Sequence, residues 1–386
     1  MISEKTVFIL GAGASVESGF PTGDILVERI WNNLVERDSY TKNPLNKALQ
    51  FNKKPLESEG KVSQNFTHIH AQNMLKQFAL DLSDSRTSSI DDFLHNTRET
   101  ADYELIGKLA IIQEISKRES TNVLFRQIEK QDFTFGDQHY LGYQSNWYKT
   151  LWKTIYEGCK TLGDIEKNLS KLTFITFNYD RSVEHQLFVS IKAMFQASDE
   201  TVGNLLDQAL KIYHVYGQVG FLPWQKTKIK TFVSHHKNIS ESKIINPYVP
   251  LNLEEDPEQW IGLTSVLKTY GEVDFDDTVQ RANQSHFNHH NFNLEWPLQA
   301  ISDADNVLVF GFSFHPRNLM LFQTRFLGFQ RSRVQGKIRG TSLGIGPSIK
   351  KQRLSQLGDG LNCDISEKDF LDVKIDDFYD HGLTYK

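Results

Sequence analysis

The run Gly11-Ala12-Gly13-Ala14-Ser15 stands between an apolar stretch and a helical one, where backbone N–H groups can be aimed at an anion. Glycine permits both the tight turn and the close approach, and the helix that follows adds its positive end. Phosphate is the natural guest; a glycine turn of purely structural purpose is the alternative. A dehydrogenase loop needs Gly-x-Gly-x-x-Gly, whereas the sixth position here is Val16, and no strand-end acid stands about 20 residues further on. Hydride transfer is therefore disfavoured, and so is a P-loop, since Gly-Lys-Ser/Thr is absent. Asn178 and Asp180 are short polar residues closing a second apolar run, able to meet a ligand or to form an Asx turn capping a helix that starts near Arg181. Histidine is the natural base near neutral pH, which singles out His214 near the end of a third run. Tyr216 follows it, and in a strand residues two apart share a face, about 7 Å apart. Other clusters promise less. Ser15 has no Ser–His–Asp arrangement near it, and Lys350, Lys351 and Arg353 read as a solvated helix face. His286, His289 and His290, with the pair His235-His236, match no closed zinc spacing, so no metal site is expected.

The elements that must position these residues follow from hydrophobic periodicity. Thr6–Leu10, Leu172–Phe177, Lys211–Tyr216 and Asn306–Phe310 read as strands, with one more inside Val334–Ile345. Each of the first four ends in a small or polar turn, and in an open α/β sheet ligands bind at the carboxyl ends of strands. Asp24–Arg37 reads as a helix with Ile25, Ile30 and Leu34 near one face, and Val183, Leu187, Ile191 and Met194 mark another. Pro347 opens a third. Between positions 39 and 170 the pattern becomes helical, at Ala71–Leu82, Ala101–Ser116 and Asn146–Cys159. The stretch Ile229–Asn246 reads as a hairpin. The expected fold is α/β, a Rossmann-like doubly wound parallel sheet with a helical insertion. Residues 1–38 and 171–350 form the core, 39–170 the insertion, and 351–386 a segment packing on the core or on a neighbouring subunit.

Composition sets outer bounds. The chain has 386 residues, 39% hydrophobic and 24% charged, which excludes disordered and collagenous classes. Lys and Arg number 43 against 48 Asp and Glu, a net charge of −5, so direct specific nucleic-acid binding is not expected. Only Cys159 and Cys363 occur, too few for a four-cysteine zinc ribbon or a disulfide framework. Val7–Leu10 is shorter than a signal peptide's apolar region, and no run approaches the roughly 18 apolar residues of a membrane span. A cytoplasmic protein without membrane attachment is expected.

The longer string GAGASVESGFPTG, Gly11 to Gly23, resembles the sirtuin nucleotide loop GAG-x-S-x-x-x-G-I-P. Gly11, Ala12, Gly13, Ser15, Gly19 and Pro21 fall on that pattern, followed by Thr22, with Phe20 in place of the usual Ile. TFNYD (Thr176–Asp180) resembles the Gln-Asn-Ile-Asp block, HVYG (His214–Gly217) the strand ending in His-Gly, and the segment with Gly311, Phe312 and Ser313 the Gly-Thr-Ser block. Gly340-Thr341-Ser342-Leu343 copies that last block more literally but lies later in the order. The resemblance implies a site that binds NAD as substrate and breaks its nicotinamide–ribose bond. It gives Asn178 the ribose hydroxyls or the attacking water, and Asp180 the nicotinamide amide or the loop. The place of the family's histidine is held by Tyr216, which leaves His214 as the base and Tyr216 shaping the pocket. Without a zinc module the chain is similar to bacterial sirtuin-like NADases of antiviral defence, with SSIDDFL (Ser88–Leu94) in the insertion. That group implies NAD hydrolysis to nicotinamide and ADP-ribose, a homo-oligomer, and a separate partner such as a HerA-type ATPase or an Argonaute-type protein. The alternatives are a regulatory or scaffold subunit that binds NAD or ADP-ribose without turnover, and a deacylase or ADP-ribosyltransferase.

Overall fold

Every residue of Thr6–Leu10 is buried, the signature of a parallel strand covered on both faces. This is β1 in the computed structural model, which describes residues 2, 4–35, 44–52, 68–121, 147–246, 256–273, 295–322 and 334–380. A 3₁₀ segment (Ala12–Ser18) and α1 (Gly23–Val35) follow. The insertion supplies α2 (Pro44–Asn52), α3 (His68–Asp84), α4 (Ile90–Asn96), α5 (Tyr103–Thr121), α6 (Trp147–Tyr156) and α7 (Leu162–Leu169). The chain returns as β2 (Leu172–Thr176), α8 (Ser182–Phe195), α9 (Asp199–Ala209) and β3 (Lys211–His214). Four peripheral helices come next: α10 (Lys226–His235), α11 (Glu241–Ile244), α12 (Pro257–Thr264) and α13 (Tyr270–Val273). Then come α14 (Glu295–Ser302), β4 (Asn306–Phe310), α15 (Pro316–Met320), β5 (Lys337–Thr341), α16 (Pro347–Leu361), β6 (Phe370–Leu371) and α17 (Ile375–Asp380).

The six strands are all parallel, in the order β3-β2-β1-β4-β5-β6. This is a Rossmann-like doubly wound sheet, and its connections reverse direction between β1 and β4, where such sheets open a crevice at their carboxyl edge. In register, Leu10 stands between Thr176 and Phe310, so the turns after β1, β2 and β4 begin at one level. Side-chain alternation divides the core. Val7, Ile9, Ile175 and Val309 face one cluster with Ile30, Phe78 and Ile106; Phe8, Leu10, Phe174 and Phe310 face another with Trp147, Leu187 and Phe378. The insertion therefore shares its core with the sheet and covers both faces of it. The segment after position 350 adds the edge strand β6.

Three expectations are corrected. In α1 the buried stripe is Leu26, Ile30 and Leu34, while Ile25 is exposed, because residues four apart stack on one helical face and Ile25 falls one position off it. Ile229–Asn246 is not a hairpin: it holds α10 and α11, with Ile229 and Phe232 at helical spacing packing into a small cluster with Phe221, Ile244 and Val266. The third strand stops at His214 rather than Tyr216. No helix among the described residues is long and apolar enough to cross a membrane.

Candidate functional site

The first and fourth strand turns meet backbone to backbone. A Cβ added to Gly11 would lie 2.5 Å from the Gly311 carbonyl oxygen, one on Gly13 2.8 Å from Gly311 Cα, and one on Gly311 2.0 Å from the Ala14 nitrogen. The Gly11 N–H donates to Phe310 O (3.0 Å) and the Gly13 N–H to Gly311 O (2.9 Å). Gly311 itself has φ +58°, and its N–H donates to Thr341 Oγ1 (3.2 Å), so the GTSL string reaches the site through Thr341. Close packing at the switch point thus explains these glycines. The N–H groups of Gly11 and Gly13 are held by the carbonyls of Phe310 and Gly311, and any anion must be met by the rest of the turn. Trp147 of the insertion steadies that rest, donating from Nε1 to Ala14 O (2.7 Å). Gly19 ends the 3₁₀ segment at φ +81°, Pro21 is buried, and the Thr22 hydroxyl donates to the Asp24 carboxylate.

Ser15, Asn178, Asp180 and His214 come together behind this turn. Asn178 is buried; its Nδ2 donates to Ser15 Oγ (3.0 Å) and its N–H to Thr176 Oγ1 (3.1 Å). Its Oδ1 is enclosed and has no partner among the described residues. Asp180 accepts from the Ser182 N–H (3.1 Å), the Asx turn that starts α8. Burial holds its carboxyl above the usual range, against the pull of hydrogen bonds from Ser182 and Ser15 and of the His214 charge. His214 Nδ1 faces Asn178 O (3.0 Å) and Nε2 faces Glu184 Oε1 (2.8 Å). Both ring nitrogens are therefore engaged by protein oxygens. Burial alone would raise the Glu184 carboxyl; the charge and hydrogen bond of His214, with the Lys228 charge, outweigh it and hold the carboxyl low. A depressed acid contributes stability above its unfolded pKa and loses it as pH falls through the folded one. Glu184→Gln is therefore expected to destabilise the protein at pH 7, with the gap narrowing below about pH 4.5; denaturant unfolding at the two pH values measures it.

Tyr216 does not share a wall with His214. The strand ends at His214, the Gly217 N–H turns back to His214 O (3.1 Å), and Gly217 takes φ +69°, so alternation no longer applies. Tyr216 packs instead in the opposite cluster, its hydroxyl donating to Asn318 Oδ1 (2.6 Å) and its ring meeting Phe177 and Tyr270. Phe312 closes on Phe177, while Ser313 is exposed. The next residue, Phe314, is buried at φ +54°, a costly conformation for a bulky side chain that marks this turn as strained.

No protein-family model matches the chain, and no curated protein matches it significantly. Among the described residues no group of three or more His, Cys, Asp and Glu side chains is placed to hold a metal ion. His286, His289 and His290 lie outside the described residues, and Cys159 and Cys363 are not joined in a disulfide.

Several residues at this edge carry no motif that sequence reasoning could have caught. Arg181 is fully buried and grips Glu119 of α5 through Nε (3.1 Å) and Nη2, while Nη1 donates to Asn246 O (2.7 Å). Tyr148 lies within hydrogen-bond reach of Ser15 and Ser182, and burial pushes its phenol well up. Asp91 accepts from the Tyr179 hydroxyl (2.6 Å). Beside it, Asp92 pairs with His315 (3.0 Å) and Arg317 (3.2 Å). Only SSIDDFL could have pointed there, since two adjacent acids after a serine read first as a helix cap.

Proposed function

We propose that the chain is an NAD glycohydrolase, cleaving the nicotinamide–ribose bond with water as acceptor to give nicotinamide and ADP-ribose. The observation that carries this reading is Asn178: a buried amide held by Ser15 of the glycine turn, whose Oδ1 has no partner at the carboxyl edge of the sheet. An enclosed acceptor without a donor is costly, and a ribose hydroxyl or a water would satisfy it. The four motif blocks in sirtuin order add the substrate class. In the cell the reading makes the chain an NAD-depleting effector of antiviral defence, acting as a homo-oligomer under a separate partner protein.

Asn178→Ala is expected to lower NAD turnover about a hundredfold or more, the scale of losing one polar contact made in the transition state. Chromatography of nicotinamide and ADP-ribose after incubation with NAD measures it. Turnover unaffected by the substitution, or intact NAD with the assembled, partner-activated protein, would sink the reading. A second reading is favoured by His214, both of whose ring nitrogens are engaged, and by Tyr216 at the histidine's place: a subunit that binds NAD or ADP-ribose without turnover. Calorimetric binding without product supports that one.

A further inference from the structure

Hydrolysis of the nicotinamide–ribose bond releases a proton, and the group first expected to take it is engaged elsewhere, as are two of its neighbours. Both ring nitrogens of His214 are engaged, Asp180 is committed to the start of α8, and the Tyr216 hydroxyl donates to Asn318. Asp91 differs. It enters from the insertion at the start of α4 and meets the phenols that surround the histidine's place. Tyr179 donates to it directly at 2.6 Å. Its charge is also felt by Tyr216 and Tyr270, whose rings lie 5.1 Å apart.

The other charges around Asp91 sort the two neighbouring acids into different states. Asp92 is drawn to His315 and Arg317, which outweigh its burial and hold it low. Glu272 of α13 adds negative charge and is itself bridged by Lys108 of α5 (2.7 Å). For Asp91, burial dominates; the Tyr179 hydrogen bond and the His315 charge oppose it, Asp92 and Glu272 reinforce it, and the carboxyl is pushed up to about 7. Two adjacent carboxyls held so far apart are the pattern of one proton-exchanging acid beside one fixed charge.

Resting on the hydrolase reading, we infer that Asp91 is the base of this site, with Tyr179 as its positioning residue. In the step, a water oxygen bonds to the ribose anomeric carbon as the bond to nicotinamide breaks. Nicotinamide leaves neutral with that bond's electron pair, and the water's proton passes to the Asp91 carboxylate. No other reactant is required. Asp91 belongs to the helical insertion and His214 to the sheet.

The test compares the full-length, assembled and activated protein with its Asp91→Asn, Tyr179→Phe and Asn178→Ala variants, using NAD for turnover and ADP-ribose for calorimetric binding. Asp91→Asn keeps the shape and an acceptor for Tyr179, so binding is expected to stay within about threefold while kcat falls a hundredfold or more. Tyr179→Phe removes a hydrogen bond that lowers the Asp91 pKa, so the ascending limb of kcat against pH, near 7 in the unaltered protein, should move to higher pH. A purely structural tyrosine would lower activity at every pH without moving the limb. Asp91→Asn retaining kcat within threefold while Asn178→Ala abolishes it overturns the Asp91 role alone. An unaltered protein that binds ADP-ribose yet never consumes NAD overturns the hydrolase reading and the base with it. If Asp91→Asn fails to fold by circular dichroism, Tyr179→Phe decides: a stationary limb overturns the proposal.

Discussion

Gly311→Ala is expected to cost about 3 to 5 kcal/mol of folding stability, enough to unfold a marginal protein. Two effects act at once. At φ +58° an alanine is strained by its own Cβ, at a cost of roughly 1–2 kcal/mol. That Cβ would also lie 2.0 Å from the Ala14 nitrogen and 2.3 Å from the Gly13 carbonyl carbon. Both are backbone atoms, and neither can swing aside as a side-chain end can. The glycine turn and the β4 turn would have to separate, breaking the Gly11 and Gly13 hydrogen bonds that join them. Gly344→Ala supplies the control: φ is +77° there but nothing lies within 4 Å of the added carbon, so strain is expected alone, about 1–2 kcal/mol. Chemical denaturation of the two variants separates contact from conformation; equal losses would show that the packing of the turns contributes nothing.

Arg181→Leu is expected to destabilise by about 3–5 kcal/mol, because it leaves the Glu119 carboxylate buried without its partner. Burial already raises the Glu119 pKa, opposed by the charge and hydrogen bonds of Arg181, so removing the guanidinium pushes the carboxyl higher still. A raised carboxyl is protonated in the folded chain below its folded pKa and carries an uncompensated charge above it. The loss should therefore be smaller near pH 5 than near pH 8. Adding Glu119→Gln to Arg181→Leu should recover part of the loss at pH 8, since the unpaired charge is gone. Equal destabilisation by the single and double variants at both pH values would show that packing, not charge, is what Arg181 supplies. Since Glu119 belongs to α5 and Arg181 to the turn after β2, the pair fastens the insertion to the site's edge.

The sheet was legible in the chain because its central strands are nearly continuous apolar runs ending at small or polar residues. β1 and β4 stand where Thr6–Leu10 and Asn306–Phe310 predict them. The apolar run Lys211–Tyr216 extends two residues beyond the third strand, because Val215 and Tyr216 continue it while Gly217 turns the backbone away. Ile229–Asn246 misleads in a related way: it contains β-branched residues, but burial there recurs with helical spacing.

The sequence by itself determined which residues stand at strand ends, since a turn after a buried strand is written in glycine, asparagine and aspartate whatever the chain does elsewhere. Gly11, Asn178 and Gly311 sit at or next to the carboxyl edge on that ground. Only the tertiary structure decided what each one touches. Gly11 and Gly13 meet Gly311 across some 300 positions of chain, His214 is taken up by Glu184, and Asp91 meets Tyr179 from 88 residues away. Partners of that kind are chosen by how the helices close over the sheet, and neither periodicity nor spacing along the chain carries that information. The physical reason is that a strand end is a local property of the backbone. Whether a histidine is free to act as a base, or an aspartate holds its proton near neutrality, depends on the charges and burial that distant segments bring to it.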